Sequence, residues 1–324
     1  MIGLIVRRLA LLPVLLLVVY TITFMLAWAL PGSAVMSDEG RAPPESVRLA
    51  IEARYGLDDP WRFYTGYLLS VSGIRWATET IKGAGGRPPE YVLDFGPSFR
   101  YEDWSVNELI GQTLPVSMTI GFAALLLALV IGLAAGAAGA LRPNSWLDAG
   151  ALALALVGIS LPTFVIGSVL LIVFPVWLGW GSIGDWGGPG SMILPVVTLS
   201  LPFAAYIARL TRMGMIEVLG SDYVRTARAK GLSERVVFAK HALKNAFLPV
   251  LSYLGPAAAF AMTGSFVVER VFNVPGLGQH FVDAVRSKDL FVIMGVTLVF
   301  SAMLVVFNLA VDVLYRWVDP RIGS

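Results

Sequence analysis

Side chains that carry out covalent or metal chemistry are scarce in this sequence. Its 324 residues include no cysteine and two histidines, His241 and His280, which excludes disulfides, thiol catalysis and cysteine-ligated metals and leaves little for a histidine-built site. Ser265 lies in an apolar stretch that contains no histidine or lysine to act as its base. We therefore interpret Ser265 as a small residue that eases helix packing, and a membrane enzyme is poorly supported.

The polar residues with the clearest pattern form a basic segment between two apolar stretches. Ser221 is a favourable N-cap, and Asp222 complements the positive end of the helix dipole that follows it. Arg228 and Lys230 suit the negative end of the same helix, and Gly231 is placed to end it with a positive φ. The pattern predicts a short, separately capped helix of about nine residues.

A second helix is predicted to start at Ser233 and to continue into the next apolar stretch. Its apolar residues recur at helical spacing: Leu232, Val236, Ala239, Leu243 and Phe247. The segment 209–244 carries eight basic residues against three acidic ones. From charge alone two interpretations stay open: contact with anionic lipid headgroups, or docking of a cytoplasmic protein.

The elements that position this segment are membrane spans. Of all residues 56% are hydrophobic and 14% are charged, and the mean hydropathy is +0.74, which leaves too little polar surface for a water-soluble protein of this size. A helix of about 20 apolar residues spans a bilayer. Six stretches meet that length or come close to it: 9–30, 114–140, 149–176, 193–208, 246–268 and 291–315. The sequence therefore predicts an all-α polytopic membrane protein with six transmembrane helices.

Two of these stretches depart from a simple apolar span. The fourth is cut short by Arg209 and Arg212, so we expect its helix to continue to residue 217 with both arginines reaching the headgroups. The first could be read as a signal peptide, but its apolar core exceeds the usual length of such a core, so we expect a retained anchor.

Lysine and arginine in the short loops set the orientation of the spans. With a cytoplasmic N-terminus, the inner side holds the basic segment together with Arg7, Arg8, Arg142, Arg316 and Arg321. The short outer loops hold no basic residue at 177–192 and three at 269–290. We therefore expect both termini to be cytoplasmic. The formal net charge of +2 gives no argument for nucleic-acid binding.

The chain is expected to have three parts. Residues 1–30 are a short cytoplasmic stub with the first span, 31–113 form an extracytoplasmic region, and 114–324 form a five-helix core with its cytoplasmic loop at 209–245. In the middle part, turn residues and aromatics alternate, which predicts short helices around a flexible tip near residues 83–86 and no independent domain.

The interior of the spans favours packing over ion binding. Gly132, Gly136 and Gly139 predict close contact with another helix. Ionisable residues, which ion-coupled transporters carry inside the membrane, are nearly absent; Asp312, with Arg316 four residues on as its expected partner, is the exception. Proline recurs in or beside the spans and permits kinks: Pro115, Pro162, Pro195, Pro202, Pro249 and Pro256. A secondary transporter is thus a weak alternative.

The basic segment resembles a family motif. Its residues Tyr223-Val-Arg-Thr-Ala-Arg-Ala-Lys-Gly231-Leu, with Leu248-Pro249 further on, are similar to the "EAA" loop of bacterial ABC-importer permeases of the peptide and nickel branch. The leading glutamate of the general motif is replaced by Arg225, a departure common in that branch. The stretch 73–90 looks longer than usual. Further similar segments start at Val6, Tyr55, Leu93, Ile159, Ile193, Glu269 and Asp312.

The resemblance implies a type I ABC-importer fold and a permease subunit for dipeptides or oligopeptides in the bacterial inner membrane, with nickel or another metal chelate as the alternative cargo. The chain has no Gly-x-x-x-x-Gly-Lys-Ser/Thr loop, so ATP and magnesium are expected on partner subunits. The implied partners are a second homologous permease subunit forming a heterodimer, two cytoplasmic ABC ATPases, an extracytoplasmic solute-binding protein and membrane lipid.

The resemblance also implies roles for two sets of residues. The coupling helix, which sits in a groove of the ATPase, comprises Ser221, Asp222, Tyr223, Arg225, Thr226, Ala227, Arg228, Lys230 and Gly231, and we expect Ala227 to face that groove. The contact with the binding protein, or an outer gate, is expected at Phe272, Asn273, Pro275, Gly276 and Gly278. A plain turn is the alternative for this second set.

The orientation is directly testable because the chain has no cysteine of its own. In Thr226→Cys, a membrane-impermeant maleimide should label the protein only after intact cells are permeabilised, since the basic loop is expected inside. Ser191→Cys, in the short loop without basic residues, is the control and should label from outside. Labelling of position 226 in intact cells would reject the topology.

Overall fold

The computed structural model describes residues 2–32, 44–82, 90–101, 103–181, 184, 186–263 and 265–318. Within these ranges regular structure is helical, apart from one isolated antiparallel bridge between Pro97 and Ser105. The α-helices are α1 (Ile2–Ala29), α2 (Glu45–Tyr55), α3 (Pro60–Val71), α4 (Ile74–Lys82), α5 (Val106–Leu141), α6 (Trp146–Ser160), α7 (Thr163–Leu171), α8 (Ile193–Leu219), α9 (Asp222–Ala229), α10 (Glu234–Val236), α11 (Lys244–Met262), α12 (Phe266–Phe272), α13 (Leu277–Ser287) and α14 (Leu290–Val318). Two π-helical segments, Ile172–Trp177 and Val237–Leu243, follow α7 and α10, and a 3₁₀ turn, Pro189–Met192, precedes α8.

Several described helices have the length and apolarity of membrane spans. Five are single stretches: Ile5–Ala29, Val106–Leu141, Gly190–Leu219, Glu234–Met262 and Leu290–Tyr315. A bent pair, Asp148–Ser160 with Thr163–Trp177, makes a sixth crossing if it is counted as one span. The all-α polytopic fold is therefore confirmed, and the fourth predicted helix does extend past its arginines, to Leu219.

The third predicted span, 149–176, is wrong as one straight helix. Its two halves meet at 104°, because Leu161 and Pro162 are both extended, with ψ of 131° and 139°. Proline has no N–H to continue the helix and disfavours helical backbone in the residue before it. What the sequence indicated as a kink is thus a complete break.

The fifth predicted span, 246–268, also ends earlier than expected. Helix α11 stops at Met262, and α12 starts afresh at Phe266. Ser265 is extended, and its hydroxyl accepts a hydrogen bond from the Val268 N–H at 3.4 Å. Ser265 therefore caps α12, which corrects its interpretation as a packing residue. Gly264, and the side chain of Arg316 expected to pair with Asp312, lie outside the described part of the chain.

The chain folds into two compact units, one of Met1–Ile5, Ser117–Val274 and Leu304–Ser324, the other of Val6–Val116 and Pro275–Met303. In the first unit the glycines of α5 allow close contact with α8. A Cβ at Gly132 would lie 2.7 Å from the Ile207 side chain, and one at Gly136 would lie 2.7 Å from Thr211. Real Cβ atoms are essentially never that close, so the small-residue contact predicted for this helix is confirmed.

The second unit is built around the Phe291 ring at the start of α14. Four aromatic rings approach it edge-on, with centroids 5.3–5.6 Å away: Tyr55, Phe63, Tyr67 and Phe99. Aromatic pairs favour this geometry because the positive ring edge meets the negative ring face. The short helices α2 and α3, two of those predicted for residues 31–113, thus share a core with the beginning of α14. The tip predicted at 83–86 lies outside the described residues.

The buried carboxylate of Asp289 holds the loop before α5 against the start of α14. One oxygen of Asp289 accepts hydrogen bonds from the Ser98 hydroxyl at 2.8 Å and from the N–H groups of Phe99 at 2.9 Å and Arg100 at 3.3 Å. Its other oxygen accepts from the Val292 N–H in the first turn of α14. Burial raises the pKa of Asp289, and the four donors oppose that rise by favouring the charged carboxylate.

Gly96 gives a direct test of the aromatic core. Its φ is +80°, and a Cβ would overlap the Phe291 ring. In Gly96→Ala, the left-handed backbone costs roughly 1–2 kcal/mol and the overlap about 1–3 kcal/mol more, so thermal unfolding in detergent should occur at a clearly lower temperature. The control is Gly66→Ala in α3, where a Cβ meets nothing within 4 Å; this variant should melt no earlier than the wild type. Equal melting of Gly96→Ala and wild type would contradict the packing described.

Candidate functional site

The predicted short helix is present as α9, between α8 and α10. Gly231 has a φ of +78°, as its position predicted. The N–H of Gly231 bonds to the Arg228 carbonyl at 2.9 Å, and the N–H of Leu232 reaches back to the Ala227 carbonyl at 3.3 Å. These two bonds form a Schellman motif, which ends the helix and turns the chain sharply.

The start of α9 differs from the prediction in one respect. Ser221 has the extended backbone of an N-cap residue, but its hydroxyl donates to the Val218 carbonyl at 2.6 Å and makes no cap hydrogen bond. The turn before α9 is therefore closed by a hydrogen bond to the last residues of α8. Asp222 lies in the first turn as expected, 3.6 Å from Arg225, and both side chains are largely exposed.

One side of α9 is buried within the chain itself. Val224 and Ala227 pack against Val237 of the following π-helical segment and against Val218 at the end of α8. Ala227 is 6% exposed. The expectation that Ala227 faces a partner groove is therefore wrong: its methyl group fills the space under the helix, where a larger side chain would push α9 away from its support.

The opposite side of α9 is solvent-exposed and basic. Tyr223, Arg225, Thr226 and Lys230 are all exposed. The Tyr223 hydroxyl accepts a hydrogen bond from the Asn245 side chain at 2.8 Å, which directs the ring along the following helix. This set of four residues, the exposed face of α9, is the surface that a partner could reach.

Arg228 makes an ion pair that the sequence did not predict. Its guanidinium donates from Nε to one oxygen of the Glu234 carboxylate at 2.8 Å and from Nη2 to the other at 3.1 Å, across the turn at Gly231. The pair is bidentate, the geometry that suits arginine best. It links the end of α9 to the start of the next helix, in addition to complementing the helix dipole.

The helix after the turn has a different buried face from the predicted one. Leu232 and Val236 are each 37% exposed, whereas Val237, Ala242 and Ala246 are buried. The prediction assumed α-helical periodicity, but Val237–Leu243 is π-helical, so the buried positions are five residues apart across this segment before the normal spacing resumes.

Helices α8 and α11, which lie on either side of α9 in the chain, pack tightly against each other. A Cβ at Gly214 would lie 3.2 Å from the Cα of Ala246. Met215, Ala242 and Ala246 form a buried cluster beside this contact, together with Ala140. Helices α8 and α11 are therefore held together as one packed pair.

An ion pair that sequence reasoning missed fastens α8 to α6. The Arg212 guanidinium donates to both carboxylate oxygens of Asp148, at 2.5 and 2.7 Å, and the Asn144 N–H donates to the same carboxylate at 2.9 Å. Arg212 does not extend to the headgroups, which corrects that expectation. The spacing of Ser145 and Asp148 ahead of an apolar run indicated a capped helix start, since the Ser145 hydroxyl caps α6 by accepting the Asp148 N–H. It did not indicate Arg212 as the partner.

The second set of predicted site residues separates into buried and exposed members. Phe272 is buried, and its ring lies 3.1 Å from the position of a Cβ on Gly167. Gly276 and Gly278 are buried at the start of α13. Asn273, which ends α12 with a φ of +52°, and Pro275 are exposed. Of the five, only these two present a surface to a partner.

Sequence reasoning also missed a carboxylate near this set. Glu269 on α12 is 2% exposed and accepts a hydrogen bond from the Ser117 hydroxyl of α5 at 2.8 Å. A buried carboxylate needs such donors to offset its lost hydration. Within the described ranges, no group of three or more histidine, aspartate or glutamate side chains is placed to hold a metal ion.

Comparison with known proteins gives a consistent result. Residues 109–324 match the family model described as "binding-protein-dependent transport system inner membrane component". The chain is 41% identical to the oligopeptide transport system permease protein OppB of Haemophilus influenzae over 318 residues, which cover 98% of this chain and 97% of that one. It is also 41% identical to the dipeptide transport system permease protein DppB of Bacillus subtilis, over 94% and 93% of the two chains.

Solved structures show the same fold. An inward-facing structure of the MetNI methionine ABC transporter superposes with a TM-score of 0.50 at 20% identity and covers 65% of this chain and 97% of that one. An amino acid ABC transporter crystallised with histidines gives a TM-score of 0.50 at 17% identity, covering 65% and 94%. The described helices therefore have the ABC type I importer fold.

The Asp148–Arg212 pair can be tested by a double-mutant cycle. Asp148→Asn and Arg212→Gln should each lower the melting temperature in detergent, because each leaves a charged group without its partner. The double variant should melt no lower than the worse single variant, since no unpaired charge remains. Arg225→Gln, which removes an exposed pair, is the control and should have little effect. Additive losses in the double variant would show that the two residues act independently.

Proposed function

Because the chain belongs to the family of binding-protein-dependent transport system inner membrane components, we propose that it is a permease subunit of an ATP-driven importer of oligopeptides or dipeptides. It is a multi-pass protein of the inner membrane. One observation carries the proposal: the 41% identity to oligopeptide and dipeptide permeases extends over nearly the whole of each chain. The similarity therefore includes the helices of the 31–113 region as well as the membrane core.

The energy for transport is proposed to come from two cytoplasmic ATPase subunits that bind ATP and magnesium. This chain has no loop for nucleotide phosphates, so the work must reach it through a contact surface. The exposed face of α9, formed by Tyr223, Arg225, Thr226 and Lys230, is the surface we assign to the ATPase groove. Its positive charge and its single aromatic ring suit a groove with acidic and apolar walls.

The distribution of basic residues indicates which side of the membrane each loop faces. The basic residues of 209–244, α9 among them, favour the cytoplasm, and both termini are proposed to lie there as well. The exposed residues Asn273 and Pro275, between α12 and α13, then lie on the outer side, where we propose that they contact the solute-binding protein or form part of an outer gate.

The packing of α9 connects it mechanically to the membrane helices. Its buried residues Val224 and Ala227 rest on the end of α8 and on the π-helical segment that leads to α11. Through Gly214, α8 and α11 are packed closely, and the pair of Asp148 and Arg212 extends this unit to α6. A displacement of α9 by the ATPase therefore turns three membrane helices together. A second, homologous permease subunit is proposed to complete the translocation path.

Gly231→Val tests the coupling role of α9. A Cβ at this position meets nothing within 4 Å, so the variant changes the backbone preference and adds no clash. A β-branched residue at a φ of +78° costs roughly 1–2 kcal/mol or more. The turn should therefore open, and the exposed face of α9 should be displaced from the position that the ATPase contacts. The expected result is a membrane-inserted protein with greatly reduced peptide uptake and weakened co-purification of the ATPase subunits.

Gly220→Ala is the matched control at the other end of α9. Gly220 has a φ of −81°, and a Cβ there would have its nearest neighbours at 3.5 Å, so uptake should be retained. If Gly231→Val keeps full uptake and full ATPase binding, the coupling assignment is wrong. Contact of this loop with lipid headgroups then becomes the better explanation of its charge.

A further inference from the structure

The exposed surfaces of most described membrane helices consist of apolar side chains. On α5, for example, Phe122, Leu126 and Val130 stand out from the chain, each more than half exposed. The bent pair α6–α7 exposes Leu156 and Phe164 in the same way. Side chains of this kind suit the hydrocarbon of a lipid bilayer.

Helices α8 and α11 differ, because their common exposed face carries polar side chains and tyrosines beside the apolar Met213 and Phe260. On α8 the face carries Tyr206 and, one turn further on, Arg209; on α11 it carries Ser252 beside Tyr253. The rings of Tyr206 and Tyr253 lie against each other with their centroids 4.4 Å apart. Both tyrosines stand well inside their spans, Gly190–Leu219 and Glu234–Met262.

This face has hydrogen-bonding groups that the chain does not use. Neither tyrosine hydroxyl has a hydrogen-bond partner among the described residues. Pro256, exposed on the same face, has no N–H for the helical hydrogen bond to the Ser252 carbonyl. Lipid tails offer these groups nothing, and leaving polar groups unpaired in hydrocarbon is costly. The face therefore meets water or polar atoms of another molecule.

We infer that this face, formed by Tyr206, Arg209, Ser252 and Tyr253, lines the route of the peptide through the membrane. The inference rests on the proposed peptide-import function. A peptide backbone repeats N–H and C=O groups whatever its side chains are, and the two hydroxyls and the Ser252 carbonyl match those groups. The stacked rings provide an apolar surface for varied side chains, and Arg209 attracts the carboxylate end.

Single-cysteine variants test whether the face is wetted, and the natural chain has no cysteine to interfere. The full importer, with its ATPases and binding protein, is reconstituted in proteoliposomes and treated with a small, water-soluble cationic methanethiosulfonate. Ser252→Cys should react at least about tenfold faster than Leu126→Cys on the exposed apolar face of α5, because only thiolate in contact with water reacts. Trialanine supplied with binding protein and ATP should slow the reaction at position 252.

A second measurement keeps the inference independent of cysteine reactivity. The double variant Tyr206→Phe/Tyr253→Phe keeps both rings and removes both hydroxyls, so it should raise the KM for trialanine uptake by about 3- to 30-fold. The ATPase subunits should still co-purify with it. An unchanged KM would count against the hydroxyls as peptide contacts and would overturn the inference in its stated form.

Two further results would also overturn it. One is a Ser252→Cys reaction no faster than that of Leu126→Cys. The other is a Ser252→Cys disulfide to a cysteine of the second permease subunit, which would make the face a dry subunit interface. Failure of the wild-type importer to take up any peptide would instead refute the proposed function, so the two failures are distinguishable.

Discussion

A carboxylate or guanidinium inside a membrane protein needs a partner with matching geometry, and this requirement determines how the helices of the first unit are joined. Asp148 and Arg212 satisfy each other in a bidentate pair, which ties the beginning of α6 to α8. Glu269 obtains a donor from Ser117 and so ties α12 to α5. Each pair joins helices far apart in sequence.

The need for a matching partner also marks the limit of what the sequence predicts about the structure. Local properties were predictable: the turn at Gly231 follows from the backbone freedom of glycine, and the apolar runs follow from composition. The close contact at Gly132 and Gly136 was also predictable, because only small residues permit it. The partner of Arg212 was not, since an arginine at the end of an apolar run has two solutions, lipid headgroups or an acidic residue, and only tertiary structure decides between them.

Two further differences arise from backbone geometry. Pro162 permits a kink, a break or a smooth continuation, and in the structure, where α6 and α7 both pack on α8, the chain breaks. The π-helical segment Val237–Leu243 cannot be read from periodicity, because any analysis by helical spacing assumes α-helix throughout. For the candidate site the consequence was concrete: the position of α9 was correctly predicted, but the inward orientation of Ala227 was not.

The π-helical segment has a consequence for how sequences of this kind can change in length. A π turn contains one residue more than the α turn it replaces, so it is what a one-residue insertion leaves behind when the helix on either side keeps its packing. Here the additional residue of the π turn lies between α9 and α11, and Ala242 and Ala246 are buried at and after it. Loss of one residue at this place would restore regular winding and preserve the contact with α8, whereas the same deletion within α11 would rotate every following side chain away from its neighbour.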